Sequence, residues 1–273
     1  MTDGIAEIGF DHRDRGTRLA HLYQRDPLRV LFPAPAAGDP LLAVIVTTSG
    51  GLVAGDCLDV SVRLAPGARA HVTASAAEKI YRSTGPTTTV AQTLSVGAGA
   101  ALEFLPPETI LFDGARLRRH TSIDLSAGSG FLGGDIVVFG RRARGERFTS
   151  GFLNEVWQVR REEKLVWGDA LHLGGDVGGV IDRPACFGGA AAFATMLLSP
   201  PGREARDFLP SARAVLCAAR RVQAGATVIA GLVVVRWLAA DPAALHQSYA
   251  DLACHFRAAA LGLPPHLPRS WHV

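Results

Sequence analysis

Residues 57–76, CLDVSVRLAPGARAHVTASA, read as two strands and the corner between them. Leu58, Val60, Val62 and Leu64 fall on one face and Asp59, Ser61 and Arg63 on the other, the two-residue period of a half-buried strand. Pro66-Gly67 marks a turn, after which Ala70, Val72, Ala74 and Ala76 share one face of a second strand. The join is either a hairpin or a sharp corner. Its phrasing recurs: LAPGARA at residues 64–70, LSVGAGA at 94–100 and LSAGSGF at 125–131 each have a leucine, two residues, a glycine and then a new strand, with a fainter echo, VQAGATV, from Val222. Gly67, Gly97 and Gly128 are 30 and 31 residues apart. A period near thirty describes stacked β units that bury a face only against their neighbours, as in a β-helix or a layered sandwich. Generic hairpin chemistry would also put a glycine in each such turn.

Working outward, residues 41–175 read as strands and turns, and helix signals come late. Residues 241–264 carry Asp241 as N-cap, Pro242 at the first helical position, apolar Leu245, Tyr249, Leu252 and Phe256, Gly262 as C-cap and Pro264 beyond. Residues 185–199, ACFGGAAAFATMLLS, are a second helix candidate. The expectation is therefore a mainly β, stacked-strand, β-helix-like or layered architecture with about two helices, the clearest near the C-terminus. It forms a single domain over 1–273, with extended tails at 1–15 and 265–273.

Composition narrows the function. With 273 residues and 48% hydrophobic side chains the chain can bury a sizeable core. A net charge of +3 spread along it, without a lysine-rich block, speaks against nucleic acid. The basic run GRRARGER, residues 140–147, reads as a solvated turn rather than a docking patch. No secretory signal or bilayer-length apolar stretch is present: TVIAGLVVVRWLAA, residues 227–240, is broken by Arg236 and reads as a buried strand. Cys57, Cys186, Cys217 and Cys254 form no C-x-x-C pair, which fits reduced thiols in the cytoplasm and no membrane association.

Candidate chemistry gathers at glycine-flanked acids. TTSGGLVAGD, residues 47–56, imitates the start of a phosphate loop, but Asp56 stands where lysine is needed and a strand follows instead of a helix. Asp56 is either a cap for the turn's backbone N–H groups or a presented carboxylate. Gly133-Gly134-Asp135 and the glycine-bordered Asp169 repeat the device. If stacked, Asp56, Asp135 and Asp169 would line a polar path suited to divalent ions, with His71 and Glu108 as further members. Lys79, Tyr81 and Arg82 form a surface cluster that could recognise a partner, with Tyr81 and Arg82 as the anchors. No G-x-S-x-G elbow and no paired-histidine motif occurs, so neither a hydrolase nucleophile nor a tight metal site is indicated.

Taken in order, TTSGGLVAGD, TASAAEKIYRS, PPETILFDGARL, GRRARGERF and the terminal LPRSWHV resemble the urease accessory protein D family (UreD, called UreH in some organisms). Glu78 stands where the family commonly has a small or hydroxyl residue. The resemblance implies a mostly β, helix-poor fold and a non-enzymatic maturation factor. Its partners would be urease apoprotein, the accessory F protein and the GTPase G, with E as a further candidate. It implies no tightly bound cofactor but a transient Ni²⁺ cargo, for which Asp56, Asp135, Asp169, His71 and Glu108 are the candidate contacts; Lys79, Tyr81, Arg82, Arg269 and Trp271 are the candidate partner contacts. Two other classes stand beside it: a β-helical carbohydrate-active enzyme using Asp56 and Asp135 as paired acids, and a structural adaptor without a metal path.

Overall fold

The computed structural model describes residues 2–13 and 16–271. Met1, Asp14, Arg15, His272 and Val273, which belong to the two expected tails, lie outside the described residues. The first half of the chain runs β1 (Asp3–Arg13), β2 (Gly16–Arg25), β3 (Leu28–Leu31), β4 (Leu41–Thr47), β5 (Cys57–Leu64), β6 (Arg69–Ala74), β7 (Glu78–Ile80), β8 (Thr88–Val96), β9 (Ala101–Phe104), β10 (Thr109–Leu111) and β11 (Arg116–Leu125). Next come β12 (Gly130–Phe139), β13 (Phe152–Arg161), β14 (Lys164–Gly174), α1 (Val177–Asp182), β15 (Ala192–Ser199) and α2 (Leu209–Ala218). The chain closes with β16 (Gln223–Ile229), β17 (Leu232–Ala239) and α3 (Pro242–Leu261).

The strands form a solenoid-like stack. Sheet one has the order β14-β13-β11-β8-β5-β1-β2, and sheet two β16-β17-β15-β12-β9-β6-β4-β3. From β4 to β13 the chain passes from sheet to sheet, so that β5, β8, β11 and β13 are parallel neighbours in one and β4, β6, β9 and β12 in the other. The join at Pro66-Gly67 is thus a corner between sheets, not a hairpin. The left-handed residues at the three corners are Gly67, Gly99 and Gly128, with φ of 75°, 64° and 65°. The expected alignment on Gly97 was off by two: Gly97 is the first corner residue, and its carbonyl accepts from Ala100 N–H at 3.0 Å. Corners also bond to one another, Gly67 N–H donating to Ala98 O (3.0 Å) and Gly99 N–H to Ala127 O (3.1 Å). The echo at Val222 is no corner; it opens the outermost strand of sheet two.

Inward residues alternate as the sequence dictates: Leu58, Val60, Val62 and Leu64 on β5 meet Ala70 and Val72 on β6 and Leu102 and Phe104 on β9 in one core. β12 is buried at every position, because sheet one covers one face and the helical layer the other. The expected N-terminal tail is instead β1, parallel to β5 along Asp3–Phe10, with Ala6, Ile8 and Phe10 entering the core. Residues 185–199 are no helix. Residues from Ala192 form β15 between β12 and β17, where a mostly buried, mainly apolar run fits a central strand equally well. Residues 227–240 are a hairpin rather than one strand, turned by Ala230 (φ 47°) and Gly231 (φ 78°). α3 follows the cap reading: the Asp241 side chain accepts from Ala243 N–H, and Gly262 closes the helix in the left-handed region.

Gly133 and Gly134 lie inside β12, not in a turn, and they permit close approach. A Cβ on Gly134 would stand 2.0 Å from Thr195 O and 2.8 Å from Met196 Cα, on the neighbouring strand β15. At Gly99, by contrast, a Cβ meets nothing within 4 Å. Gly99→Ala should therefore cost only the left-handed penalty, about 1–2 kcal/mol. Gly134→Ala must push apart a pair of central strands and should cost at least about 3 kcal/mol. Thermal melts of the two variants check this, and equal losses would contradict the assignment of corner and core.

Candidate functional site

The segments that return the chain from sheet two to sheet one, residues 48–56, 75–87, 105–115 and 140–151, stack at one edge of the solenoid. Leu52 N–H donates to Lys79 O (2.7 Å), Phe112 N–H to Ile80 O (3.0 Å), and Gly140 N–H to Leu111 O (2.8 Å). These are the four internal motifs that carry the family resemblance, which the fold makes neighbours. Their side chains interlock as well. Gly51 (φ 142°) lies against Tyr81, the Tyr81 hydroxyl donates to Gly50 O (3.3 Å), the Tyr81 and Phe112 rings meet edge to face at 4.8 Å, and the Arg141 guanidinium sits 4.4 Å over Phe112. Asp113 staples the third loop to the fourth: its Oδ1 accepts from Thr149 N–H (2.8 Å) and Ser150 N–H (3.0 Å) and from both hydroxyls. Burial alone would raise this carboxyl, but those donors hold it below its ordinary value.

Behind the loops, between the sheets, lies a cavity of about 80 Å³ whose polar lining includes Thr47, Glu78, Gln92, Thr109 and Arg119. Burial pushes the Glu78 carboxyl up, against a hydrogen bond from Thr47 Oγ1 at 2.5 Å. Arg119 spans the core. On β11 it donates to Glu155 Oε1 of the neighbouring rung (2.7 Å) and to Thr109 Oγ1 (2.8 Å), and it reaches Asp135 on the opposite sheet. Burial would depress its guanidinium, but the two facing carboxylates outweigh this. One cation faces two buried acids, which pushes the two carboxyls apart. Burial and the Glu155 charge drive Asp135 well up; Glu155, despite its burial, is held down by Arg119 and by a hydrogen bond from Asp135.

A second charged cluster lies between sheet two and α3. Arg257, fully buried, pairs with Asp39 (2.5 Å) and Glu103 (3.2 Å) and donates to His71 Nδ1 (3.1 Å) and Pro264 O (3.1 Å). His71 Nδ1 also faces Glu103 Oε2 at 3.4 Å, and its buried Nε2 has no hydrogen-bond partner among the described residues. His71, Asp39, His266 and Arg269 border a surface groove of about 630 Å³ lined by Pro33, Pro35, Pro40 and Pro268. Nearby, His246 of α3 joins Glu108 through Nδ1 (3.2 Å) and Trp271 O through Nε2 (3.3 Å).

The expected ion path is therefore distributed. Asp56, almost wholly buried, accepts from Thr2 N–H and Val53 N–H, both at 2.9 Å. Burial would raise it, and these backbone donors hold it low. Asp135 sits with Arg119 and not at a strand end; Asp169, also mid-strand, is half-buried and pairs with Arg236 at 2.6 Å. His71 belongs to the Arg257 cluster and Glu108 to His246. Among the described residues, no three His, Cys, Asp or Glu side chains gather as a metal cage. Lys79, Tyr81 and Arg82 do share the loop wall, Arg82 pairing with Asp113 at 3.3 Å. Arg269 is exposed, but Trp271 is not a surface anchor. Its indole is buried, stacks on Tyr249 at 5.7 Å and donates to Leu105 O at 3.0 Å. Arg119, Glu155, Glu103 and Arg257 went unnoticed in the sequence, although strict alternation in RLRRHTSIDL and FLNEVWQVRR already turns Arg119 and Glu155 inward.

Two outcomes follow from these charges. One carboxylate is enough to compensate Arg119, so Asp135→Asn or Glu155→Gln alone should cost about 1 kcal/mol or less, whereas the double variant strands a buried guanidinium and should cost about 3–5 kcal/mol; urea titrations of the three variants measure the contrast. Both ring nitrogens of His246 face acceptors, so the imidazolium fits best, and the hydrogen bond to Glu108 raises its pKa above 6.5 despite partial burial. Glu108, which burial alone would raise, is held below 4.5 chiefly by the same bond. The His246 contribution is complete below 6.5 and is lost as pH rises through the higher folded value, and the Glu108 contribution is present above 4.5 and fades as pH falls through the lower folded one. The stabilising effect of the pair thus peaks between these limits. The Tm difference between the natural chain and His246→Leu should shrink from pH 6 to about pH 8.5; a constant difference would refute the charged clasp.

Comparison with known proteins bears on what these features serve. A family model described as UreD urease accessory protein matches residues 2–272. The urease accessory protein UreD of Magnetococcus marinus is 44% identical over 99% of this chain and 94% of its own length. The protein of the same description from Xanthobacter autotrophicus is 43% identical over 93% of this chain and 84% of its own. Urease accessory protein UreD 1 of Methylobacterium radiotolerans is 41% identical over 94% and 86%. With its coiled sheets, its stacked motif loops and this whole-length likeness, the chain belongs to the UreD urease accessory protein family.

Proposed function

We propose that the chain is a non-enzymatic urease maturation factor of the cytoplasm. It scaffolds apo-urease together with the accessory F protein and the GTPase G, and assists delivery of nickel to the urease active site. The observation that carries this reading is the family likeness over residues 2–272, joined to the stacking of its four internal motifs into one wall. A scaffold needs rigid surfaces, and the hydrogen bonds and ring contacts between loops give the wall that rigidity.

Nickel is cargo in this proposal, met by dispersed acids and not by a cage. A carrier must release its ion, and isolated oxygen donors bind late first-row metals more weakly than thiolate and imidazole sets do. Asp56, Asp135, Asp169, His71 and Glu108 remain the proposed contacts. An ion passing Asp135 would compete with the guanidinium of Arg119. Glu78, on the cavity wall with a raised pKa, is a further acid that such an ion could meet.

Co-expression of urease subunits with F and G, with and without this chain, tests the role. Active, nickel-loaded urease should fall to the background level when the chain is omitted, and undiminished activation would reject the reading. For the ion path, Asp135→Asn and Asp169→Asn together should lower nickel loading while the partners still co-purify. Full loading by that variant would leave a scaffold without a metal path.

A further inference from the structure

We infer that the wall of stacked return loops docks an acidic segment of a protein partner. The inference rests on the maturation reading for the identity of that partner, and on the wall's own charges for its chemistry. The carboxylates of the wall are already engaged. Asp113 takes four donors from residues 149 and 150 as well as Arg82, Glu146 accepts from Asp113 N–H (2.6 Å) and pairs with Arg141, and Asp182 pairs with Arg147. Its cations are not all engaged. Among the described residues, Arg142 and Arg144 are exposed and have no side-chain hydrogen bond or ion pair. The GRRARGER run is a solvated turn, exposed over residues 141–145, and it is anchored at its base. Arg141 is held over Phe112, Gly140 is bonded to Leu111 O, and the loop presents Arg142 and Arg144 outward from that anchor.

The stripe from Gly51 through Tyr81 and Phe112 to Arg141 supplies the remaining features of an interface centre. Tyr and Arg are the residue types that carry most binding energy, and Val53 stands beside it 49% exposed. The same geometry argues against other polyanions. Single-stranded nucleic acid needs open aromatic faces on which bases stack, whereas Phe112 has Arg141 over its ring and the Tyr81 ring against it edge to face. A membrane surface needs an apolar helix face beside the cations, and here the cations stand on loops with Val53 as the exposed large apolar side chain.

The test uses the full chain and its three proposed partners, apo-urease, F and G, purified singly. Arg142→Glu with Arg144→Glu should weaken binding to one of them about tenfold or more, and binding by the natural chain should fall as salt is raised. Arg18→Glu with Arg63→Glu, an equal charge change on exposed positions outside the wall, should bind as the natural chain does. Arg142→Gln with Arg144→Gln, which removes charge without adding acid, should lose an intermediate amount and serves if the Glu pair misfolds. If the wall variants bind all three partners normally, or the control pair loses as much, the inference is overturned while the maturation role stands. Wall variants that lose only duplex DNA or anionic vesicles would overturn it in favour of those polyanions. A natural chain that binds none of the three and leaves urease activation unchanged would remove both readings together.

Discussion

In a stack of parallel coils every strand owes both rows of its backbone hydrogen bonds to its neighbours, and that obligation sets everything else in this molecule. A coil cannot shift along its axis without breaking two ladders, so the corners must superpose on one side and the return loops on the other. At the corners the superposition is bonded directly, Gly67 to Ala98 and Gly99 to Ala127. On the return side it forces segments some thirty residues apart in sequence into contact, and those segments hold the family motifs. The antiparallel hairpins β13-β14 and β16-β17 turn the ladders back, and α2 and α3 cover the outer face of sheet two.

Within that frame two arginines connect layers that hydrophobic contact alone would leave free to slide. Arg119 joins sheet one to sheet two, and Arg257 joins sheet two to α3 and to the segments around Asp39 and Pro264. Buried ion pairs of this kind add little net stability over well-packed apolar residues but penalise any register that separates the partners. In a repetitive stack, where a slip by one coil would still bury leucine on leucine, such a penalty selects one alignment. Burial and the Glu155 charge favour the neutral form of Asp135, which lessens the excess of acid in the Arg119 cluster.

Much of this frame was legible in sequence because strand alternation and corner chemistry are local. The phrase around Gly67, the caps of α3 and the thirty-residue recurrence each report a conformation fixed within a few residues. Where the reading went astray, the deciding contact was distant. Gly97 and Gly99 sit in one corner phrase, and only the turn geometry shows which of them takes a positive φ. Residues 192–199 are mainly apolar without a two-residue alternation, and burial between two strands, not periodicity, makes them β15. Trp271 looks like a surface anchor near a chain end until Tyr249 and Leu105 are seen to enclose it. Alternation turns Arg119 and Glu155 inward, but their roles required knowing that they face each other on adjacent rungs, a register that no local pattern contains.

The loop at residues 47–56 shows how the same residues serve two levels at once. Asp56 closes the turn on itself and on the chain start by accepting from Val53 and Thr2. That leaves its oxygens committed to backbone, so an ion could borrow them only by loosening the first turn of the stack. The glycines beside it have a different purpose from presenting a carboxylate. A Cβ at Gly51 would stand 2.6 Å from the Tyr81 ring and 2.9 Å from Lys79 O, so glycine is what lets the first loop lie flat on the second. Tyr81 can then meet Phe112, and Phe112 can carry Arg141. A segment that imitates a phosphate cradle is thus the base of a cation-bearing wall, with opposite charge logic: it fixes cations outward for an acidic partner instead of gathering N–H groups around an anion.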